Sequence, residues 1–269
     1  MFNGSLKIFL LNSIIFLQIL TIVFICFIFF PLSGCDINNT DIAFQTKTFS
    51  GESKSFGSGV VTSIIESDKD DLPKAVGIVF TSAALRNLDT TNLSVILKMP
   101  QTVASTQFDH IEVEWQPNGK TSQGISNKPI ISFRFYIITE SEQNNISGLE
   151  SDSVKMYLLP DSQFIPKNYI LLQNSGMPKK GVMFYDSIAA KFNNEKFDKS
   201  LIYRYYNGKL IALEIIISKS FLEKNKTFIG EIKQPDKFQL PGFYPLKYNV
   251  KFTGSQNKYT VSLINLIRH

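Results

Sequence analysis

Residues 202–218 read IYRYYNGKLIALEIIIS, from Ile202 to Ser218, and this stretch decides the fold class. Two runs rich in β-branched and aromatic residues flank Asn207-Gly208. That dipeptide suits a two-residue type I′ turn, in which both central residues take positive φ. A hairpin is therefore predicted, with strands over Ile202 to Tyr206 and Lys209 to Ser218. Tyr244 to Phe252 and Lys258 to Ile267, joined by Thr253-Gly254-Ser255-Gln256-Asn257, read as a second. Val60 to Ile65, Ala75 to Phe80, Leu93 to Met99, Phe108 to Trp115 and Pro129 to Ile138 read as further strands. Ser82 to Leu88 reads as one short helical piece capped by Ser82. No βαβ spacing and no internal repeat breaks the series. The predicted fold is all-β, an antiparallel sandwich or barrel-like domain with one or two short helices.

Period-two alternation sorts the side chains of these strands into faces. In Phe108 to Trp115, the residues Ile111, Val113 and Trp115 share an apolar face, and His110, Glu112 and Glu114 share the other. In Ile131 to Ile137, the apolar set is Ile131, Phe133, Phe135 and Ile137. Ser132, Arg134 and Tyr136 line the opposite side, where a site could be built.

Ahead of the strands, Ile8 to Phe30 is an apolar run without a charged residue, and it ends in Leu32-Ser33-Gly34-Cys35. That junction resembles a bacterial lipoprotein signal: a small residue before the cut, an apolar one three positions before it, and a cysteine to carry the lipid. Residues 1–34 are accordingly read as a signal peptide and Cys35 as the lipidation site, which would hold the protein on a membrane of the bacterial envelope. Several acyl chains on one cysteine anchor stably, since each buried methylene contributes about 0.8 kcal/mol. The competing reading is an uncleaved anchor, because about 20 apolar residues suffice to cross a bilayer. The polar stretch 35–54 reads as a tether, and 55–269 as a single β-rich domain.

Composition narrows the function classes. The chain holds two cysteines, Cys26 within the apolar run and Cys35 at its end, so the exported part has no thiol left for a disulfide or a Cys-ligated metal. The formal net charge of +5 is interspersed along the chain without a basic block, which gives nucleic-acid binding no support. Oligomeric state is not readable from these features.

Several pieces together carry a resemblance. Phe56-Gly57-Ser58-Gly59, Val76-Gly77-Ile78 with Ala84-Leu85, and Phe108 to Gly119 are followed by Pro129 to Tyr136, Gly181 to Asp186, Glu214 with Phe221-Leu222, and Gly242 to Pro245. In order and spacing they resemble a family of secreted bacterial β-proteins of unknown function, related to an extracytoplasmic-sigma-factor-regulated Thermus protein. The resemblance implies a face bearing histidines and an aspartate at alternate strand positions, about 7 Å apart by strand rise. Such a set would suit a Zn, Fe or Mn ion. In this chain the matching histidine positions hold Lys120, Ile130, Arg134 and Met183, and the strand aspartate is Ser132. Only Asp186 and Glu214 are left as ligands. Lys and Arg offer no lone pair to a metal at neutral pH, so neither a metal nor another cofactor is expected.

Two readings of Arg134 follow. Arg134, with Lys120, Ser132, Asp186, Glu214 and His110 around it, forms a pocket for a small anionic ligand. Alternatively Arg134 pairs with Asp186 or Glu214 and plugs the cavity as a structural ion pair, because carboxylates buried without a partner are costly. An enzyme would need His110, Asp186 and Glu214 to converge. His110 otherwise reads as a hydrogen-bonded strand histidine, and Glu112 with Glu114 as neighbours on a wet face. Tyr203, Tyr205 and Tyr206 are the available stacking platforms for a sugar. Ser255 and Lys258 match a bare Ser-x-x-Lys spelling, but in a hairpin turn. His269, the last residue, reads as frayed. The favoured function is a membrane-anchored envelope lipoprotein with a non-catalytic binding or structural role.

Overall fold

Thirteen strands arranged in two antiparallel sheets carry the described part of the chain, residues 46–120, 125–189, 197–224 and 227–269 of a computed structural model. The first sheet has six strands. Its order is β1 (Lys47–Phe56), β2 (Gly59–Ser67), β3 (Pro73–Thr81), β13 (Lys258–Arg268), β12 (Phe243–Thr253) and β11 (Thr227–Glu231). The second has seven, in the order β4 (Leu93–Lys98), β5 (His110–Gln116), β6 (Ile130–Tyr136), β10 (Lys209–Ser218), β9 (Lys199–Tyr206), β8 (Val182–Asp186) and β7 (Tyr169–Leu171). Neither sheet closes on itself. The fold is an open sandwich, not a barrel.

Both hairpins form as the sequence dictates. Asn207 and Gly208 take φ of 51° and 70°, the positive values a type I′ turn requires, and Lys209 pairs with Tyr206. β12 and β13 pair over Phe243↔Arg268 to Thr253↔Lys258, with Ser255 in the turn between them. The core lies between the sheets. Ile111, Val113, Trp115, Ile131, Phe133 and Phe135 enter it as period two predicts, and Phe80 of the first sheet stacks on Phe133 of the second at 6.1 Å.

Several expectations need correcting. The polar stretch read as a tether becomes β1 from Lys47 onward, paired with β2 from Lys47↔Ser67 to Phe56↔Gly59. An edge strand needs little apolar character, because many of its side chains meet solvent, and half of β1 is exposed while Phe56 is its one buried residue. Ser82 caps nothing: Ser82–Leu85 is a 3-10 turn without a side-chain cap. Tyr203 and Tyr205 are fully buried, with hydroxyls donating to Lys233 O and Phe164 O, so neither is a platform for a sugar. His269 is not frayed, since it exchanges both backbone hydrogen bonds with Gly242 and its ring meets Phe238 edge-on. Three short α-helices, α1 (Glu140–Asn144), α2 (Ser153–Met156) and α3 (Lys219–Lys224), and further 3-10 turns at Glu150–Asp152, Ser162–Phe164 and Gly254–Gln256 complete the described structure. The apolar run, the cleavage junction and Cys35 lie outside the described residues.

Candidate functional site

The side of the seven-stranded sheet that faces away from the sandwich core carries a row of alternating charge. Register places Glu112 of β5 opposite Arg134 of β6, and Arg134 opposite Glu214 of β10. Directly opposed residues of unlike charge attract across a sheet, and here all three are buried, Arg134 and Glu214 completely. Two residues further along, on the same face, Glu114 stands opposite Ser132.

Arg134 is the hub. Its Nη1 lies 3.0 Å from Glu112 Oε2 and its Nε 3.2 Å from Glu214 Oε1, while Nη2 donates to Glu114 Oε2. Lys120 Nζ donates to Glu214 Oε1 at 2.7 Å. Arg204 of β9 donates through Nε to Glu214 Oε2 at 2.7 Å. Lys180 Nζ donates to Glu114 Oε1 at 2.7 Å. Glu112 accepts further from Ser94 Oγ at 2.8 Å, Tyr136 Oη at 3.2 Å and Gln143 Nε2 at 3.2 Å. Four cations thus meet three carboxylates in an interior where an unpaired charge would be severely destabilising.

The titration shifts follow from that geometry. Burial would raise the carboxyl of Glu214, but Arg204, Lys120 and Arg134 outweigh it and hold the group well below the ordinary range. Burial likewise opposes ionisation of Glu114, yet Arg134 and Lys180 bring it down to about 2. Lys120 is the exception. Burial pushes its ammonium down, Arg204 and Arg134 add repulsion against the pull of Glu214, and the result is about 7.

Two turns deliver the lysines. Gly119, at φ 64°, precedes Lys120, and a Cβ there would sit 2.2 Å from the Ser126 carbonyl oxygen. Gly181, at φ 60°, follows Lys180, and its Cβ would sit 2.3 Å from the Tyr205 carbonyl oxygen. Beside the charges the same face is apolar. Ile130, Met183, Ile202 and Ile216 pack with Ile125 and Phe197, which come from the β5–β6 and β8–β9 connections and cover it.

Of the residues singled out in the sequence, Arg134, Lys120 and Glu214 come into contact. Ser132 shares their face, buried and with its hydroxyl unpartnered among the described residues. Ile130 and Met183 lie on that face too. Asp186 does not join them. It stands three residues beyond Met183 on β8, so alternation turns it to the opposite side of the sheet, where Oδ2 meets Lys233 Nζ at 2.5 Å and Oδ1 accepts from Ile188 N. His110 stacks on Tyr136 at 4.7 Å, and its ring nitrogens are taken up by Asp109 Oδ1 at 2.8 Å and Gln143 Oε1 at 2.9 Å. The convergence of His110, Asp186 and Glu214 that the alternative, enzymatic reading requires therefore does not occur. Among the described residues no three His, Cys, Asp or Glu side chains converge as metal ligands.

Sequence reading missed four members. Glu112 and Glu114 were assigned to a wet face, because alternation fixes which side a residue takes and not whether that side is covered. Arg204 carried a signal: within Tyr203-Arg204-Tyr205 it is the one residue directed away from the core. Lys180 left none, since its place depends on a turn.

Comparison with known proteins adds one finding. Residues 68–115 match the model of the family described as TTHB210-like, hypothetical protein TTHB210, which supports the link to a Thermus-related family. The matched stretch runs from β3 in one sheet to β5 in the other and includes His110, Glu112 and Glu114. No curated protein and no solved structure matches the chain.

Proposed function

We propose that this chain is an exported bacterial lipoprotein, cleaved after Gly34 and acylated on Cys35, whose β-sandwich has a non-catalytic binding or structural role in the cell envelope. The observation that carries the non-catalytic part is the buried ion network. Arg134 already has Glu112, Glu114 and Glu214 around it, so the face on which a substrate or metal would sit is filled by the protein's own side chains. Glu214 turns both oxygens toward the protein's own cations, Oε1 to Lys120 and Arg134 and Oε2 to Arg204, which disfavours its use as a base or a metal ligand. The membrane anchor is supported by Leu32-Ser33-Gly34-Cys35 at the exit of the apolar run.

The two parts are tested separately. Cells expressing the wild-type chain are expected to incorporate labelled palmitate into it, and Cys35→Ser to abolish labelling and to accumulate as the precursor that still carries residues 1–34. A wild-type chain that takes up no label and keeps residues 1–34 would instead point to an uncleaved anchor and defeat the reading. Elemental analysis of the purified protein is expected to give no stoichiometric transition metal. One Zn, Fe or Mn per chain would overturn the inert-face part.

A further inference from the structure

Away from the charged face, a cleft of about 540 Å³ opens beside the β9–β10 turn. This is well inside the range of roughly 300–1,000 Å³ found for small-molecule sites. Its floor is apolar: Ile146, Leu210, Ile211 and Tyr244 are buried there, with Ile137 and Ile138 beside them. Its mouth is not apolar. Lys155 and Lys209 line it, both exposed and neither in an ion pair within 4 Å among the described residues, although Lys209 acts on Glu142 and Lys155 on Asp152 across a longer distance. The one carboxylate among the described lining residues is Glu142, whose Oε2 is held by Thr139 N and Oγ1, each at 2.8 Å, in the capping box of α1.

The walls are fixed by the protein itself. Gln239 bridges the turn, accepting from Leu210 N at 2.8 Å and donating to Gly208 O at 2.6 Å. Tyr244 Oη donates to Leu240 O at 3.0 Å, and Tyr206 Oη donates to Asp152. A cleft pinned in this way exists before any ligand arrives, so little ordering entropy opposes binding. Apolar surface continues onto the rim, where Leu240, Leu158 and Leu159 are 54%, 52% and 45% exposed. Leu158 is tied to the turn through its carbonyl, which accepts from Gly208 N at 2.8 Å.

We propose that this cleft binds an amphipathic carboxylate, a free medium-chain fatty acid in chemical class. The hydrocarbon lies on Ile146, Leu210, Ile211 and Tyr244, and the head group meets Lys155 and Lys209. Two exposed ammonium groups without a direct ion pair, over an apolar floor, favour a single anionic head with an apolar body. Neither a bare anion nor a neutral hydrocarbon satisfies both. The volume suits one chain, and a two-chain phospholipid exceeds it.

The test uses the full chain in membranes of expressing cells, with a photoreactive diazirine analogue of dodecanoate as probe and mass spectrometry of the labelled peptides. Label is expected on the segments around Ile137–Ile146 and Leu210–Ile211. Excess dodecanoate is expected to compete, and dodecylamine and acetate not to. Lys155→Glu with Lys209→Glu is expected to lower labelling by about tenfold or more, as loss of charge-assisted contacts requires. The Lys155→Arg, Lys209→Arg pair is expected to retain it, which separates charge from misfolding. Labelling spread over the surface, equal competition by dodecylamine, stronger labelling by a photoreactive phosphatidylglycerol, or indifference to the charge-reversing pair would each overturn the proposal.

Discussion

Glu214 presents two carboxylate oxygens to Lys120, Arg134 and Arg204, and among the described residues it is the one acid that meets Arg204. Removing its charge strands Arg204 in the interior. Breaking a buried pair from one side destabilises by about 3–5 kcal/mol, so Glu214→Gln is expected to lower stability by that amount in urea unfolding. Lys120 sits on the other side of the balance. It is the fourth cation against three carboxylates, so Lys120→Met leaves the network neutral and is expected to change stability at pH 7 by less than about 1 kcal/mol, or to raise it. A loss as large as that of Glu214→Gln would refute the charge count. The same residue sets a pH dependence. Lys120 titrates near 7 in the fold and near its ordinary 10.5 when unfolded. Between these values the unfolded chain binds a proton that the native chain does not, so stability rises with pH across that window and its penalty is complete below 7. Glu114 acts at the acid end, stabilising above its unfolded value and losing that contribution as pH falls from 4.5 toward 2. From pH 7 to 9, wild type is expected to gain about 2–3 kcal/mol relative to Lys120→Met. Parallel profiles would show that Lys120 is charged throughout. In the sequence, alternation placed Arg134 on a polar face, and the family resemblance offered Asp186 or Glu214 as its partner, of which the structure pairs it with Glu214. The depth of the network was not readable, because burial of Glu112 and Glu114 depends on loops that cover the sheet from elsewhere in the chain.

At the scale of elements, the long strands with tight turns announced themselves and the rest did not. β9–β10 carries Asn207-Gly208, a dipeptide with a strong steric preference, and eleven-residue β12 and β13 give the alternation many repeats. β7, β8 and β11 span three to five residues, too short for a period of two to stand out from chance. β1 was hidden for a different reason: its polar side chains look like a leash, yet its backbone completes the edge of a sheet. Glu52 makes the point, since its Oε2 accepts from Lys98 N at 3.0 Å and ties β1 to β4. Truncation to Ser55, at the boundary expected from composition, should therefore destabilise the domain by about 2–4 kcal/mol through the lost ladder bonds, each worth about 1 kcal/mol net. Truncation to Lys47 should leave the urea midpoint unchanged. Equal midpoints for both would return Lys47 to Lys54 to the tether. Turn chemistry gives a sharper case in Gly119. An alanine there meets both a left-handed φ and two carbonyl oxygens, at 2.2 and 2.6 Å. Gly119→Ala is expected to lose about 2–4 kcal/mol and, by displacing Lys120, to flatten the pH dependence of stability between 7 and 9.

Across the whole molecule, the two sheets share one apolar interior, and among the described residues the seven-stranded sheet also buries a layer of charges on its far side. That asymmetry explains why the sandwich was legible and its buried polar layer was not: a core needs only alternation, whereas a second layer needs to know what lies on top. It also bears on how the protein unfolds. Phe133, 1% exposed, reaches from the second sheet to Phe80 of the first, and the core residues of both sheets form one continuous cluster. Neither sheet can keep its apolar face dry alone, so the domain should melt as a unit. Trp115 gives a local probe, being the single tryptophan, buried on β5 with its Nε1 donating to Asp89 O at 2.8 Å. Its fluorescence transition in urea is expected to coincide with the far-ultraviolet dichroism transition of the whole fold. Phe133→Ala, which leaves a cavity at the inter-sheet contact, is expected to shift both together by about 3–5 kcal/mol. A tryptophan transition that precedes the dichroism change would mean that the charged sheet opens on its own, held by its ion network and not by the shared core.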